Sequence, residues 1–188
     1  GTVVYRSDPE NDVRASLQRL NRDGKRARVG NLQGDLSFPM LSPDGKRLAV
    51  IRYEAGLANL WVLDLTTDSS TRLTFEGARH NRPRWTPDGK RIVFGTQSGL
   101  FWTRADGSGQ PVPLIVKRPS SAIGVTPDGK TLLYTSDGCW AVSVDGDPDR
   151  PRVSEPRKCF DGPDRAVDGD LSPDGRWLAY ATQLPQSE

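Results

Sequence analysis

One six-residue word constrains the fold of this chain more than any other feature. Leu41-Ser42-Pro43-Asp44-Gly45-Lys46 returns as Trp85-Thr86-Pro87-Asp88-Gly89-Lys90, as Val125-Thr126-Pro127-Asp128-Gly129-Lys130 and as Leu171-Ser172-Pro173-Asp174-Gly175-Arg176. Its hydroxyl residue stands at 42, 86, 126 and 172, so the steps are 86−42 = 44, 126−86 = 40 and 172−126 = 46 residues. Pro pre-sets φ at the second turn position, the Ser or Thr hydroxyl bonds locally, and Gly enters the left-handed region without steric cost. Each word is therefore a tight turn between two strands. A β-sandwich with regular turns does not explain an identical turn word at this period, whereas a propeller blade of four strands has that length.

The strands fall in place around the turns. Calling the pre-turn strand a and the post-turn strand b, b reads Leu48-Ala49-Val50, Ile92-Val93-Phe94, Leu132-Leu133-Tyr134 and Leu178-Ala179-Tyr180. Continuous apolar runs of this kind predict strands covered on both faces. Val3-Val4-Tyr5 sits 45 residues before Val50 and is a fifth copy of b. Strand c follows in Leu60-Trp61-Val62-Leu63, Leu100-Phe101-Trp102 and Cys139-Trp140-Ala141-Val142, and d in Arg28-Val29, Arg72-Leu73, Pro113-Leu114 and Arg152-Val153. The fold class is all-β, a propeller of four-stranded antiparallel blades. Its repeats lie at approximately 1–37, 38–74, 82–116, 122–155 and 167–182.

The run from Pro83 to Phe94, Pro-x-Trp-Thr-Pro-Asp-Gly-Lys-x-Ile-x-Phe, resembles the WD-like propeller repeat of the TolB type. That repeat also builds the propellers of tricorn-like and prolyl-oligopeptidase-like peptidases and the extracytoplasmic sensor domains of some bacterial Ser/Thr kinases. The resemblance implies a bacterial, periplasmic or otherwise extracytoplasmic setting. It specifies a fold and not a function, because propellers host unrelated activities. The third copy has Ile123-Gly124-Val125 where Pro-x-Trp would sit, and an irregular lead-in to that blade is expected.

Strand order gives b-c-d, three complete a-b-c-d blades and a final a-b, about four blades with incomplete terminal ones. Propellers of the resembled type have six or more blades, roughly 250 residues at about 43 each. The 188 residues are expected to be a segment of a larger propeller. Joining the ends would bring two b strands to one blade, and an open arc exposes strand edges and apolar faces, so self-association is expected.

Alternating strand direction puts a–b and c–d turns on one side and b–c and d–a connections on the other. The second side carries the more variable connections, where binding concentrates on a rigid scaffold. There Arg79, His80, Arg82 and Arg84 gather cationic donors, with Lys117 and Arg118 in the corresponding place one blade on. An anionic peptide or carboxylate is the ligand such donors suit.

Catalysis finds less support. The chain has 1 His and no Gly-x-Ser-x-Gly nucleophile elbow. Asp64, Asp106 and Asp145 close strand c in turn-forming positions. Asp145-Gly146-Asp147-Pro148-Asp149 opens like a calcium loop but has Arg150 at the sixth position and Pro156 at the twelfth. The acids Asp161, Asp164, Asp168 and Asp170 read as a solvated loop, and Trp61, Trp85, Trp102, Trp140 and Trp177 as inter-blade packing. No metal and no cofactor is expected.

A net charge of +2 from 26 basic and 24 acidic residues argues against nucleic acid as partner, and no apolar run approaches the roughly 20 residues of a membrane helix. Cys139 and Cys159 are either a disulfide pinning the 156–166 connection, worth about 3 kcal/mol, or two buried thiols. The expected function is a non-catalytic module binding a protein or peptide. The alternative is the gating propeller of a prolyl-oligopeptidase-like serine peptidase whose catalytic domain lies outside this chain.

Overall fold

The computed structural model describes residues 3–7, 15–75, 81–116, 120–160 and 166–182. Its turns are the repeated words, each closed by the same hydrogen bonds. The Ser42 hydroxyl donates to Asp44 Oδ1 at 2.5 Å, and the backbone N–H groups of Arg47 and Lys46 donate to Ser42 Oγ and Asp44 Oδ1 at 2.9 and 3.0 Å. Thr86, Thr126 and Ser172 repeat this set. The hydroxyl bond, assisted by the backbone N–H, holds the carboxyls of Asp44, Asp128 and Asp174 below the usual range. At Asp88 burial pushes the other way, and the bonds from Thr86 and Lys90 outweigh it.

Blade 1 comprises β1 (Val3–Ser7), β2 (Ala15–Leu20) and the first half of β3 (Arg26–Leu41). β3 does not stop at the blade boundary. It leaves β2 near Gln33 and Gly34 and pairs from Asp35 onward with β4 (Arg47–Glu54), so one strand closes blade 1 and opens blade 2. Gly30 and Gly34 lie in this crossing at φ 68° and 127°, conformations that a residue with Cβ rarely adopts. Blade 2 continues with β5 (Leu57–Asp64) and β6 (Ser70–Arg72).

Blade 3 is β7 (Asn81–Trp85), β8 (Arg91–Thr96), β9 (Gly99–Arg104) and β10 (Val112–Val116). Blade 4 is β11 (Ser121–Val125), β12 (Thr131–Thr135) and β13 (Cys139–Asp147), with an outer strand broken into β14 (Arg150–Val153) and β15 (Arg157–Lys158). Sequence reading placed only the first of these two pieces. Blade 5 contributes β16 (Ala166–Leu171) paired with β17 (Leu178–Thr182). The a strands are neighbours: β7 lies between β3 and β11, and β11 packs on β16.

The core lies between blades, and strand alternation divides it. On β4, Leu48 and Val50 face blade 1 with Leu17, Val29 and Leu36, while Ala49 and Ile51 face blade 3 with Ile92 and Phe94. On β8, Val93 points the other way and joins Leu132 and Tyr134 of blade 4. Both faces of β4 and β8 are thus used, which is why these runs are continuously apolar. Each buried Leu, Ile, Val or Phe side chain among them is worth about 1.5–3 kcal/mol on burial. Neighbouring turns also stack. A Cβ on Gly175 would come within 2.6 Å of Pro127 Cδ at a φ of 71°, so glycine is required there on two counts.

The departure at Ile123-Gly124-Val125 does not set blade 4 apart. β11 carries a bulge between Ala122 and Gly124, but β3 carries one between Ser37 and Met40 and β7 one between Asn81 and Arg84. The irregular lead-in is a property of these a strands, not of the third copy. What Gly124 changes is packing: a Cβ there would lie 3.1 Å from Leu171 Cβ, so its absence admits blade 5 closely.

Candidate binding face

The face opposite the Pro-Asp-Gly turns collects the starts of the a strands, the ends of the d strands and the b–c turns. Four of the exposed large apolar side chains lie there: Phe38 on β3, Leu57 at a b–c turn, Phe75 after β6 and Val116 at the end of β10. Phe75 is 68% exposed, with the Arg72 guanidinium 4.9 Å above its ring. The turn side is lined instead by polar turn residues whose hydroxyls and carboxylates are paired with each other and with backbone N–H groups.

Arg82 and Arg84 stand two residues apart on β7 but are placed differently. Arg84 is mostly buried. Its Nε donates to Ile123 O at 2.7 Å and its Nη2 to Gly169 O at 3.4 Å, with Asp170 Oδ1 4.0 Å from Nε. One side chain of blade 3 therefore braces blades 4 and 5. Burial pulls its pKa down, Asp170 partly restores it, and Arg82 adds a smaller downward push.

Arg82 forms a close ion pair with Asp168 of blade 5, and its guanidinium lies 5.9 Å from the Phe38 ring centroid of blade 2. Aligning the turn words makes Phe38, Arg82, Ala122 and Asp168 one position in four successive blades. Phe38 and Arg82 both hold positive φ, 55° and 46°, at the a-strand bulges. Strained backbone of this kind is found at ligand clamps. Arg79, His80, Lys117 and Arg118 lie outside the described residues.

The acids at the ends of strand c are consumed by turns. Asp64 accepts from the Thr66 hydroxyl at 2.5 Å and from the N–H groups of Thr66 and Thr67, bonds that lower its pKa to about 2. Asp106 accepts from Ser108 Oγ and N, and its pKa falls for the same reason. In the Asp145–Asp149 stretch, Asp145 accepts from Gly146 N, Asp147 from Asp149 N, and Asp149 pairs with Arg104 of blade 3. These contacts make the hairpin a clasp between blades, reinforced by Trp102 Nε1 donating to Pro148 O at 3.1 Å.

Cys139 and Cys159 form a disulfide with sulfurs 2.10 Å apart. It fastens β15 to the start of β13, where Cys159 N also donates to Cys139 O at 3.0 Å. Sequence reading found the cysteines and the turn acids, and offered as a binding donor Arg84, which the structure uses as a brace between blades. It missed Phe38, Leu57, Phe75 and Val116, although their shared place at the a-strand lead-ins, b–c turns and d-strand ends was available from the repeat alignment.

Comparison with known proteins agrees with this architecture. The TolB beta propeller domain profile matches residues 2–187. An uncharacterized peptidase of Bacillus subtilis, YuxL, is 27% identical over 112 residues, covering 52% of this chain and 16% of the peptidase. In structure, TolB from Acinetobacter baumannii superposes with a TM-score of 0.75 at 24% identity, over 100% of this chain and 48% of TolB. The acylaminoacyl peptidase of Pyrococcus horikoshii gives 0.57 at 18% identity, over 89% of this chain and 32% of the peptidase. The chain thus spans about half of TolB and a smaller share of the two peptidases. No helix in the described residues is long and apolar enough to cross a membrane.

Proposed function

The chain belongs to the TolB beta propeller domain family, and on that premise we propose that it is a non-catalytic module which binds a protein or peptide partner on the face opposite its Pro-Asp-Gly turns. The observation that carries this reading is the gathering of Phe38, Leu57, Phe75 and Val116 on that one face. Apolar anchors on a rigid scaffold, interspersed with arginine, have the composition of an interface core. Arg82 supplies a solvent-accessible guanidinium among them, and Arg79, His80, Lys117 and Arg118 follow it in the proposed cationic set. An acidic peptide or carboxylate suits such donors. The extracytoplasmic setting is part of the same reading, favoured by the family and by the disulfide.

Affinity capture from a bacterial envelope extract tests this. A partner retained by the native chain should be lost with Phe75→Asp or Arg82→Glu and kept with Lys46→Glu on the turn side. Equal recovery with all three variants overturns the reading. A second reading, the gating propeller of a serine peptidase, is favoured by the likeness to the Bacillus subtilis peptidase. A parent reading frame that continues into Gly-x-Ser-x-Gly would decide for it. We also propose self-association through the outer face of blade 5, where Trp177, Ala179 and Ala181 are exposed.

A further inference from the structure

The blades repeat one hairpin, between strands c and d, and its charge differs sharply in blade 1. There the β2–β3 hairpin, residues 19–28, carries Arg19, Arg22, Lys25, Arg26 and Arg28 against the acid Asp23, a net +4 in a chain whose total is +2. The corresponding hairpins at 63–72, 103–114 and 144–153 carry −1, 0 and −1. All five cations of blade 1 are exposed. The even balance of the whole chain therefore conceals a local asymmetry, with −2 left for everything outside this hairpin.

The turn itself does not require these cations. Asn21 makes it: its Oδ1 accepts from the N–H groups of Asp23 and Lys25 at 3.1 and 2.8 Å, and its carbonyl accepts from Gly24 N at 3.1 Å. Lys25 contributes backbone to that arrangement, so its side chain is surplus to the fold. Across the ladder Arg26 lies opposite Leu20 and Arg28 opposite Gln18, on one face of the hairpin, while Arg19 lies opposite Ala27 on the other. With Arg22 and Lys25 in the turn, the cations surround the hairpin end on every side. Like charges gathered this densely repel one another, and a negative surface relieves that repulsion.

The exposed positions 19, 21–26 and 28 also indicate what kind of negative surface fits. None of them carries an apolar side chain, whereas a protein interface core is built on apolar and aromatic anchors. None carries an aromatic ring on which a nucleobase could stack. What this hairpin offers is dense positive charge without insertion, the chemistry that clusters of Lys and Arg use toward lipid phosphates. We propose that blade 1 rests by its β2–β3 hairpin on the headgroups of an anionic lipid surface. Because c–d turns share a side with the Pro-Asp-Gly turns, the opposite face with Phe38, Leu57, Phe75 and Val116 then points away from the lipid. This docking is independent of the protein-binding reading and holds whether or not a partner occupies that face.

The test is sedimentation of the full chain with vesicles of phosphatidylcholine alone and of equal parts phosphatidylcholine and phosphatidylglycerol. The chain should sediment with the anionic vesicles, stay in solution with the neutral ones, and be released by high salt. Each cation removed from the hairpin should lower the partition coefficient about fivefold, so Arg26→Ser with Arg28→Ser should lower it roughly twenty-fivefold. Arg22→Ser with Lys25→Ser, confined to the turn, should do the same and guards against a ladder defect in the first pair. Arg157→Ser with Lys158→Ser makes the same change of net charge at exposed positions of β15, and should alter partitioning less than about twofold. Sedimentation that ignores lipid charge, or an equal loss with the β15 pair, overturns the proposal. Displacement by inorganic phosphate at matched ionic strength would make this a single-phosphate site and overturn it too. So would tighter binding to a DNA duplex than to the anionic vesicles, which would make nucleic acid the partner.

Discussion

Arg84 spans sequence separations of 39 and 85 residues to reach Ile123 O and Gly169 O. Replacing it with Met keeps the stem but leaves both carbonyls without that donor. The Arg84→Met chain should lose about 3 kcal/mol in a denaturant melt, the scale of charge-assisted bonds removed from a buried site. A loss below about 1 kcal/mol would show that the brace is not structural. Asp64 is the residue for a pH test. Its folded pKa of about 2 lies below the ordinary 3.8 because the Thr66 hydroxyl and the Thr66 and Thr67 N–H groups bond the charged form. The group binds protons more readily unfolded, so its stabilisation is present above pH 3.8 and lost as pH falls toward 2. Thr66→Val should flatten the acid limb of the stability curve in that window and leave the neutral limb parallel to the native one. The turn role of Asp64 was legible in sequence because its partners are two and three residues away. The role of Arg84 was not, since a guanidinium beside two others in sequence reads as solvated until the blades are placed.

At the scale of elements, the turns and the b strands are the parts most completely written in the chain. Each turn closes on itself within six residues, and each b strand announces two-sided burial by having no polar face. Outer strands are less legible. β6 is three residues long, β10 carries Pro113, and the outer strand of blade 4 is split by the segment 154–156. Short, proline-bearing or broken edges resist pairing with other chains, and the same features weaken the periodic signal that would reveal them. Gly99, at the b–c turn of blade 3, marks where an outer strand meets the turn. A Cβ there would fall 1.8 Å from Ile115 O at a φ of 144°. Gly99→Ala should therefore cost about 3 kcal/mol or more by thermal or chemical melt, combining overpacking with backbone strain. Gly109→Ala, at φ 77° with nothing within 4 Å, should cost about 1 kcal/mol. Equal losses at the two positions would refute the close approach of β10.

For the whole molecule, the proposed self-association turns on the outer face of blade 5. On the face of strand b turned to the next blade, Ala49 is 0% exposed and Val93 1%, whereas Ala179 of β17 is exposed and Trp177, on the same face, is 72% exposed. Tyr180 faces blade 4 instead, where Phe160 stacks on it with centroids 4.8 Å apart. Apolar surface of this kind is covered by another body when one is available. Light scattering should give a concentration-dependent mass above 20.7 kDa, reduced by Trp177→Asp. A single 20.7 kDa species at all concentrations would exclude self-association through this face.

By itself the sequence determined the period, the turns, the strands that are covered on both sides and hence the propeller. Those depend on interactions within a residue or two of the turn, or on an alternation that any covered strand must show. Only the tertiary structure decided which charges became braces and which apolar residues share a face. Arg84 meets its acceptors across blades. Such contacts are set by how whole blades pack against one another, and no local pattern in the chain encodes that distance.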